Sequence, residues 1–560
     1  MVARSLWQAL AAAGLRHVVL SPGSRNAPLG YAAAGAQQGE LNAPDLSLTV
    51  RVDERAAAFT ALGMALASGE PVAVVTTSGT AAANLHPAVL EAHHSGVPLI
   101  IITADRPHNM RGTGANQTTK QVGLFDEAVR LTVDLPTFAA PFNSDDRADL
   151  QAVAARLAAG ALGKLDGRPG PVHLNIAFAD PLYPVNHEWP THRGATGTWV
   201  AGRPSAPPAT HADLPNELAE LLNPQVPGVV VAGNDAGPGA RELAEQLGWP
   251  LLAEPSSGAR SGPNAIVAYS RVLAGSELAQ QTRAAVVLGH PTLTRPVQRL
   301  LADPEVTVAL IHPGGLPWLD APRRARFVLP AVPQLPHVSA GEPNDWLAQW
   351  QQAGAEELRR QLEQIAPITH PGSRLSALAV TQLVAEASGA EDLLVVGSSN
   401  PIRHLDLLAA WDTATAPRVL ANRGLAGIDG TLGTAIGAAL VHSGAQARVL
   451  LGDLSFLHDA GSLLIGTAEE RPNLQVVVIN NEGGAIFSDL EHGAVARSSP
   501  EFAAQVSRVM TTPQQADLGA IARGYGAQHV LVETVEQLRA ALAEPAAGLS
   551  VVEARVYAER

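Results

Sequence analysis

The chain has 560 residues, 46% hydrophobic and 16% charged, enough to bury large cores and too long for a single one. Its 38 basic against 52 acidic residues leave a net charge of −14, which argues against a nucleic-acid groove or an anionic membrane surface as the main partner. The absence of cysteine excludes disulfides, thiolate metal sites and cysteine nucleophiles, and is compatible with a reducing cytosol.

The opening stretch, MVARSLWQALAAAGLRHVVL, is interrupted by Gln8 and Gly14 and runs through Arg16 and His17 into a strand-like HVVL. It reads as the first helix and strand, not as a signal peptide. No apolar run approaches the roughly 20 residues that span a bilayer. A soluble, cytoplasmic protein is expected.

In the N-terminal third, HVVLSPGS, LSLTVRVDER, PVAVVTTSGT, PLIIITADRP and PVHLNIAF each end in Gly, Ser, Thr or Asp, with helical patterns such as AAAFTALGMALAS between them. Buried strands alternating with helices imply a parallel sheet covered on both faces. A Pro-rich passage over 185–210 reads as a linker, followed by a middle unit over 211–345 with strands GVVVAGN, AAVVLGH and VTVALIH. A helix and linker over 346–372 lead to a last unit over 373–560, with DLLVVGSSN, RVLANRG, ARVLLGDLS, LQVVVINNEGG and LSVVEARV. With the first unit at 1–184, the expectation is α/β: three consecutive doubly wound domains with mainly parallel sheets. Ligands of such sheets sit beyond the carboxyl ends of the strands, where these polar clusters fall.

Two clusters stand out. Asp453 in GDLS and Asn481 in NNEGG are 28 positions apart, one helix and one strand, a crossover that brings successive loops to one sheet edge. Mg²⁺ takes about six oxygens, commonly from one or two carboxylates, amide or backbone carbonyls and phosphates. Asp453, Asn481 and the Gly483 carbonyl would supply three. Gly452 would admit a pyrophosphate, and the following helix would direct its N-terminus there. The plainer reading is a helix cap at Asp453 and Ser455 and a tight turn at NNEGG.

This spacing resembles the metal–pyrophosphate motif of thiamine diphosphate enzymes, although Leu454 stands where that family usually has Gly or Ala. The resemblance implies pyrimidine-binding, middle and pyrophosphate-binding domains in that order. Gly452, Asp453, Leu454, Ser455, Asn481 and Gly483 would contact the cofactor, with Mg²⁺, or Mn²⁺, on Asp453, Asn481 and Gly483. These enzymes also need a Glu beside the aminopyrimidine ring to promote loss of the thiazolium C2 proton. Glu54, opening a helix after LSLTVRVDER, has that placement; Asp53 is the rival, and a helix-start acid serving the macrodipole is the plainer reading. The loop TTSGTAAANL at 76–85 fits a cofactor-facing turn.

SPGSRNAPL at 21–29, ADRP at 104–107, GANQ at 114–117 and NRGLAGIDG at 422–430 are similar to one family in particular, the 2-succinyl-5-enolpyruvyl-6-hydroxy-3-cyclohexene-1-carboxylate synthases of menaquinone biosynthesis. The resemblance implies a transferase that decarboxylates 2-oxoglutarate and adds the succinyl semialdehyde unit to isochorismate. Such anions call for guanidinium forks. By the family pattern Ser24, Arg25, Arg106, Asn116 and Gln117 bind substrate from the first domain and Arg295 from the middle one. Ser399, Arg403 and Arg423 line the pocket from the last, with Phe487 and Leu490 as apolar wall. Ile428 would bend the cofactor. Thr294–Arg295 departs from the Lys–Arg of some members and leaves isochorismate contacts there less defined. The family architecture implies a homodimer at minimum and a homotetramer as the expected assembly. The alternatives are another carboligase or decarboxylase, such as an acetolactate synthase, and a non-catalytic nucleotide-binding relative. His93 and His94 read as structural or surface residues.

Overall fold

A computed structural model describes the chain except for residues 165, 192–199, 203–209, 211–212, 314–317, 336–344, 366–372 and 558–560. Three sheets organise it, and every strand pair in them is parallel. The first holds β1 (His17–Leu20), β2 (Ser47–Val50), β3 (Val72–Thr76), β4 (Leu99–Asp105), β5 (Thr132–Leu135) and β6 (Val172–Ala177), ordered β2-β1-β3-β4-β6-β5. The second holds β7 (Gly228–Ala232), β8 (Leu251–Ala253), β9 (Ala284–Leu288), β10 (Thr307–Ile311) and β11 (Ala325–Leu329), ordered β11-β10-β9-β7-β8. The third holds β12 (Leu393–Val396), β13 (Arg418–Leu420), β14 (Ala447–Gly452), β15 (Leu474–Asn480), β16 (Gln528–Val532) and β17 (Leu549–Arg555), ordered β13-β12-β14-β15-β17-β16.

Central strands such as VAVVT and LIIITAD are buried along their whole length, because helices cover both faces and no side chain can be spent on water. The expected doubly wound α/β class is what the chain adopts. Strand order reverses between β1 and β3, β7 and β9, and β12 and β14, the kind of crevice where such folds bind ligands, and reverses again between β4 and β6 and between β15 and β17.

Several edges differ from the sequence expectation. β5, β8, β11 and β16 were not anticipated; β11 (ARFVL) and β16 (QHVLV) are only partly buried, and a polar or charged residue shortens the apolar run of each to three residues. The helix Asp345–Ile365 inserts Trp346 and Trp350 into the middle-domain core, and the Trp346 indole donates to the Gly228 carbonyl at 2.9 Å. Within the 185–210 stretch, Trp189 packs into the first core and donates to Glu40 Oε2 at 2.6 Å. Arg4 clasps the same segment through Asn186 Oδ1 at 2.9 Å and the Glu188 carbonyl at 2.8 Å. Most of the remaining linker lies outside the described residues.

The first and third domains dock through helices Glu54–Ser68 and Thr431–Val441. Gly63 lies against the Thr434 backbone and Gly437 against the Thr60 backbone, a closeness only residues without Cβ allow. Glu91 adds a polar staple, accepting the Gly424 and Leu425 amides at 2.7 and 2.8 Å. Among the described residues, no helix is long and apolar enough to cross a membrane.

Candidate active site

β14 and β15 pair in register up to Gly452 and Ile479, so the turns that follow them lie side by side. Asp453 begins the helix Asp453–Asp459 and is buried. Its Oδ1 accepts the Leu454 amide at 2.6 Å and its Oδ2 the Gly483 amide at 2.8 Å, tying the two turns together. Burial pushes the Asp453 carboxyl up to about 6, against the downward pull of those amides. A nearby divalent cation would favour its charged form. Glu482 (φ 61°) and Gly483 (φ 154°) let the second turn fold back, and a Cβ on Gly483 would meet the Thr511 carbonyl at 2.6 Å. Asn480 serves the frame, donating to Glu553 at 2.8 Å and accepting the Glu482 amide at 3.1 Å.

Gly452, Asp453, Leu454, Ser455, Asn481 and Gly483 all line one cavity of about 160 Å³ at the end of β14 and β15. Ser399, Ile428, His404, Ile486 and Phe487 complete its wall. An added Cβ on Gly452 would meet no protein atom within 4 Å, so the chain leaves open the space beside that backbone. A carboxylate residue, an amide residue and a glycine backbone lining one cavity beside open Gly452 are of the type that suits a hard cation taking its other ligands from a diphosphate. Among the described residues no group of three or more His, Asp or Glu side chains assembles.

A second cluster forms at the carboxyl ends of β1, β3 and β4. Arg106, buried, donates to Ser78 Oγ at 2.5 Å and to the Gln117 carbonyl at 2.6 Å, while Gln117 Nε2 reaches the Ser78 carbonyl at 3.1 Å. Gln117 adopts a left-handed φ of 55°. Arg25 donates to the Phe178 carbonyl at 2.8 Å. Burial, and then the neighbouring Arg25 charge, lower the pKa of Arg106, as expected where two guanidiniums share a crevice. Ser24 and Asn116 are exposed on the same loops. Ser78 was not singled out as a site residue, although its loop TTSGTAAANL was.

A third group bridges the middle and last domains. Arg403 Nη1 donates to the Leu293 carbonyl at 2.9 Å, Arg423 Nη2 to Thr292 Oγ1 at 3.0 Å, and the exposed Arg295 pairs with Glu491 at 3.2 Å. Thr292, like His404 in the cavity, carried no motif that sequence reading could seize on. Arg25, Arg106, Gln117, Arg295, Arg403, Arg423 and Leu490 do not line the cavity around Asp453.

Nor does Glu54. Asp53 caps the helix, accepting the Ala56 amide at 2.9 Å, which leaves Glu54 as the free acid of the pair. The adjacent Arg55 donates to the His458 carbonyl at 2.9 Å, which sets Glu54 near the far end of the helix that Asp453 begins. His93 is held by Arg130 at 2.9 Å between its Nδ1 and the guanidinium, a structural contact.

Comparison with known proteins agrees with this layout. Residues 1–124 match the family model for the N-terminal TPP binding domain of thiamine pyrophosphate enzymes, and residues 405–554 match that for the C-terminal TPP binding domain. The chain is 44% identical to a 2-succinyl-5-enolpyruvyl-6-hydroxy-3-cyclohexene-1-carboxylate synthase of Arthrobacter sp. (strain FB24), over 97% of this chain and 86% of that one. Proteins of the same name from Paenarthrobacter aurescens (strain TC1) and Nocardioides sp. (strain ATCC BAA-499 / JS614) are also 44% identical, over 99% of this chain and 93% and 94% of theirs. The chain therefore belongs to the 2-succinyl-5-enolpyruvyl-6-hydroxy-3-cyclohexene-1-carboxylate synthase family of thiamine diphosphate enzymes.

Proposed function

We propose that the chain is a thiamine diphosphate-dependent carboligase of the transferase class. It would decarboxylate 2-oxoglutarate and join the remaining four-carbon unit to isochorismate by 1,4-addition. The products are CO₂ and the 2-succinyl-5-enolpyruvyl-6-hydroxy-3-cyclohexene-1-carboxylate for which its relatives are named, a step of menaquinone biosynthesis. One observation carries this reading: Gly452, Asp453, Asn481 and Gly483 converge on a single cavity with Ser399, Ile428 and Phe487.

Asp453, Asn481 and the Gly483 carbonyl would hold Mg²⁺, and the open backbone at Gly452 would admit the diphosphate. Bound thiamine diphosphate supplies the electron sink for loss of CO₂ and for carbon–carbon bond formation. Ile428 and Phe487 line the cavity, where Ile428 would bend the bound group and Phe487 would exclude water. Glu54 would stand beside the aminopyrimidine ring and hold the proton whose position activates it. Ser24, Arg25, Arg106, Asn116 and Gln117 hold one substrate anion, and Arg295, Ser399, Arg403 and Arg423 the other.

By the architecture that the family resemblance implies, the complete site would take the first domain of one protomer and the last domain of its partner; that Glu54 is outside the lining of the Asp453 cavity supports this reading. A homodimer is the minimum active unit. The test is direct: protein with Mg²⁺, thiamine diphosphate, 2-oxoglutarate and isochorismate should release CO₂ and form the adduct, identified by mass. Turnover of pyruvate in place of 2-oxoglutarate, or no adduct at all, would overturn the assignment.

A further inference from the structure

Arg403 and Arg423 come from the last domain, yet the groups that orient them belong to the middle one. Both depend on the loop between β9 and the helix Arg295–Ala302. Its Leu293 carbonyl receives Arg403, its Thr292 hydroxyl receives Arg423, and Arg295 follows directly. The loop is fixed at its start, where Asn234 and His290 exchange backbone hydrogen bonds at 2.9 and 3.2 Å. Gln298 holds it from the helix, donating to the Pro291 carbonyl at 2.6 Å.

Its centre rests on one buried side chain. Glu254, just after β8 and 3% exposed, accepts the amides of Thr292 and Leu293 through the same Oε1, each at 2.8 Å. Its Oε2 is buried with no hydrogen-bond partner among the described residues. Burial pushes the Glu254 carboxyl up to about 7, so an acid here costs fold stability. A group that weakens the fold yet holds two consecutive amides of a loop is explained by what the loop carries.

We propose that Glu254 is a positioning residue for substrate binding: by fixing the Thr292 and Leu293 amides, it sets the loop that aims Arg403, Arg423 and Arg295 at the anionic substrate. The inference rests on the proposed function, which assigns those arginines to substrate. Glu254 touches no substrate atom; it acts through the loop. The requirement is for an acceptor oxygen at Oε1, not for negative charge, since a nearby carboxylate opposes anion binding.

Two substitutions separate this role from simple core packing. Glu254→Gln keeps an acceptor oxygen for both amides, and its KM for isochorismate should stay within about twofold of the parent. Glu254→Leu fills the space without an acceptor; KM for isochorismate should rise about tenfold or more while kcat stays within about threefold. Calorimetric affinity for thiamine diphosphate with Mg²⁺ should be the same in all three proteins. The proposal is overturned if Glu254→Leu keeps the parental KM, or if both variants lose kcat equally at unchanged KM. Should Glu254→Leu not fold, Thr292→Val decides, because it removes only the Arg423 acceptor: a raised KM supports the relay, and an unchanged one sinks it. Absence of CO₂ release or adduct in the parent would instead count against the proposed function.

Discussion

Gly63 and Gly437 pack backbone to backbone where the first and third domains meet, and Gly63→Ala tests whether that joint governs catalysis. A Cβ there would fall within the envelope of the Thr434 carbonyl oxygen, 2.7 Å from its carbon and 2.8 Å from the Thr434 Cα. Ordinary contact begins near 3.4 Å, so helices Glu54–Ser68 and Thr431–Val441 must separate by on the order of 1 Å. Backbone faces backbone, and no side chain can rotate away. Alanine gains about 1 kcal/mol of helix propensity, while overpacking costs about 1–3 kcal/mol, here at the upper end. The net destabilisation is about 2 kcal/mol, a fall in Tm of roughly 4–8 °C for a unit of this size. The same shift moves Glu54, at the head of the displaced helix, and misplacement by about 1 Å costs on the order of 100-fold in kcat. Differential scanning fluorimetry and CO₂ release from 2-oxoglutarate read the two effects. Gly461→Ala is the control, since its Cβ meets nothing within 4 Å. Parental Tm and kcat in Gly63→Ala would refute the reasoning.

Glu54→Gln should keep thiamine diphosphate affinity within about twofold and lose on the order of 100-fold or more in turnover; a parental steady-state rate would remove Glu54 as the activating acid. Gly452→Ala should fold normally, because its φ of −84° suits alanine and no protein atom meets the new methyl, while calorimetry shows weakened cofactor binding. Mixing Glu54→Gln with Asp453→Ala, each inactive alone, should restore about a quarter of parental activity, as one site in two is intact in mixed dimers; no recovery would place both residues in a single-chain site. His173 is fully buried, and burial lowers its pKa from 6.5 to about 4. Its neutral form therefore contributes stability that is complete above pH 6.5 and is lost as pH falls toward 4, by up to about 3 kcal/mol. His173→Phe should flatten that part of the pH–stability curve measured by urea unfolding.

The pairing of Asp453 with the NNEGG turn was legible in sequence because one helix and one strand between parallel neighbours leave the chain little choice of where to return. Central strands were legible for a related reason: burial on both faces demands uninterrupted apolar runs, as in LIIITAD. Edge strands carry no such demand, and QHVLV at 528–532, largely open to solvent, resembles a loop. Nor does sequence show that the Asp53 carboxylate caps Ala56, the contact that favours Glu54 over Asp53 as the proposed activating acid. What sequence could not show is the wiring between distant segments. Arg403 and its acceptor Leu293 are 110 positions apart, and Arg423 and Thr292 are 131 apart. A backbone carbonyl as acceptor leaves no residue-type signature, and Glu254 likewise binds amides that any sequence would supply.

The first and third sheets share one strand order, and the docking helices occupy the same place in each, after β2 and before β3 in one, after β13 and before β14 in the other. Their contacts are reciprocal. Gly63 meets Thr434 and Gly437 meets Thr60, while Phe59 meets Gly430 and Ala56 meets Gly433. Gly63 thus corresponds to Gly437 and Thr60 to Thr434, each pair offset by 374 positions, and the other contacts obey the same offset. Such a pattern is the signature of a two-fold relation, here within one chain. Carried to the heads of the helices, the offset sets Glu54 in correspondence with Ile428. The acid proposed to activate the cofactor and the side chain proposed to bend it therefore arise at equivalent points of two similar domains. Both lie at the heads of helices joined by the same glycine-lined contact, so loosening that one interface displaces both residues.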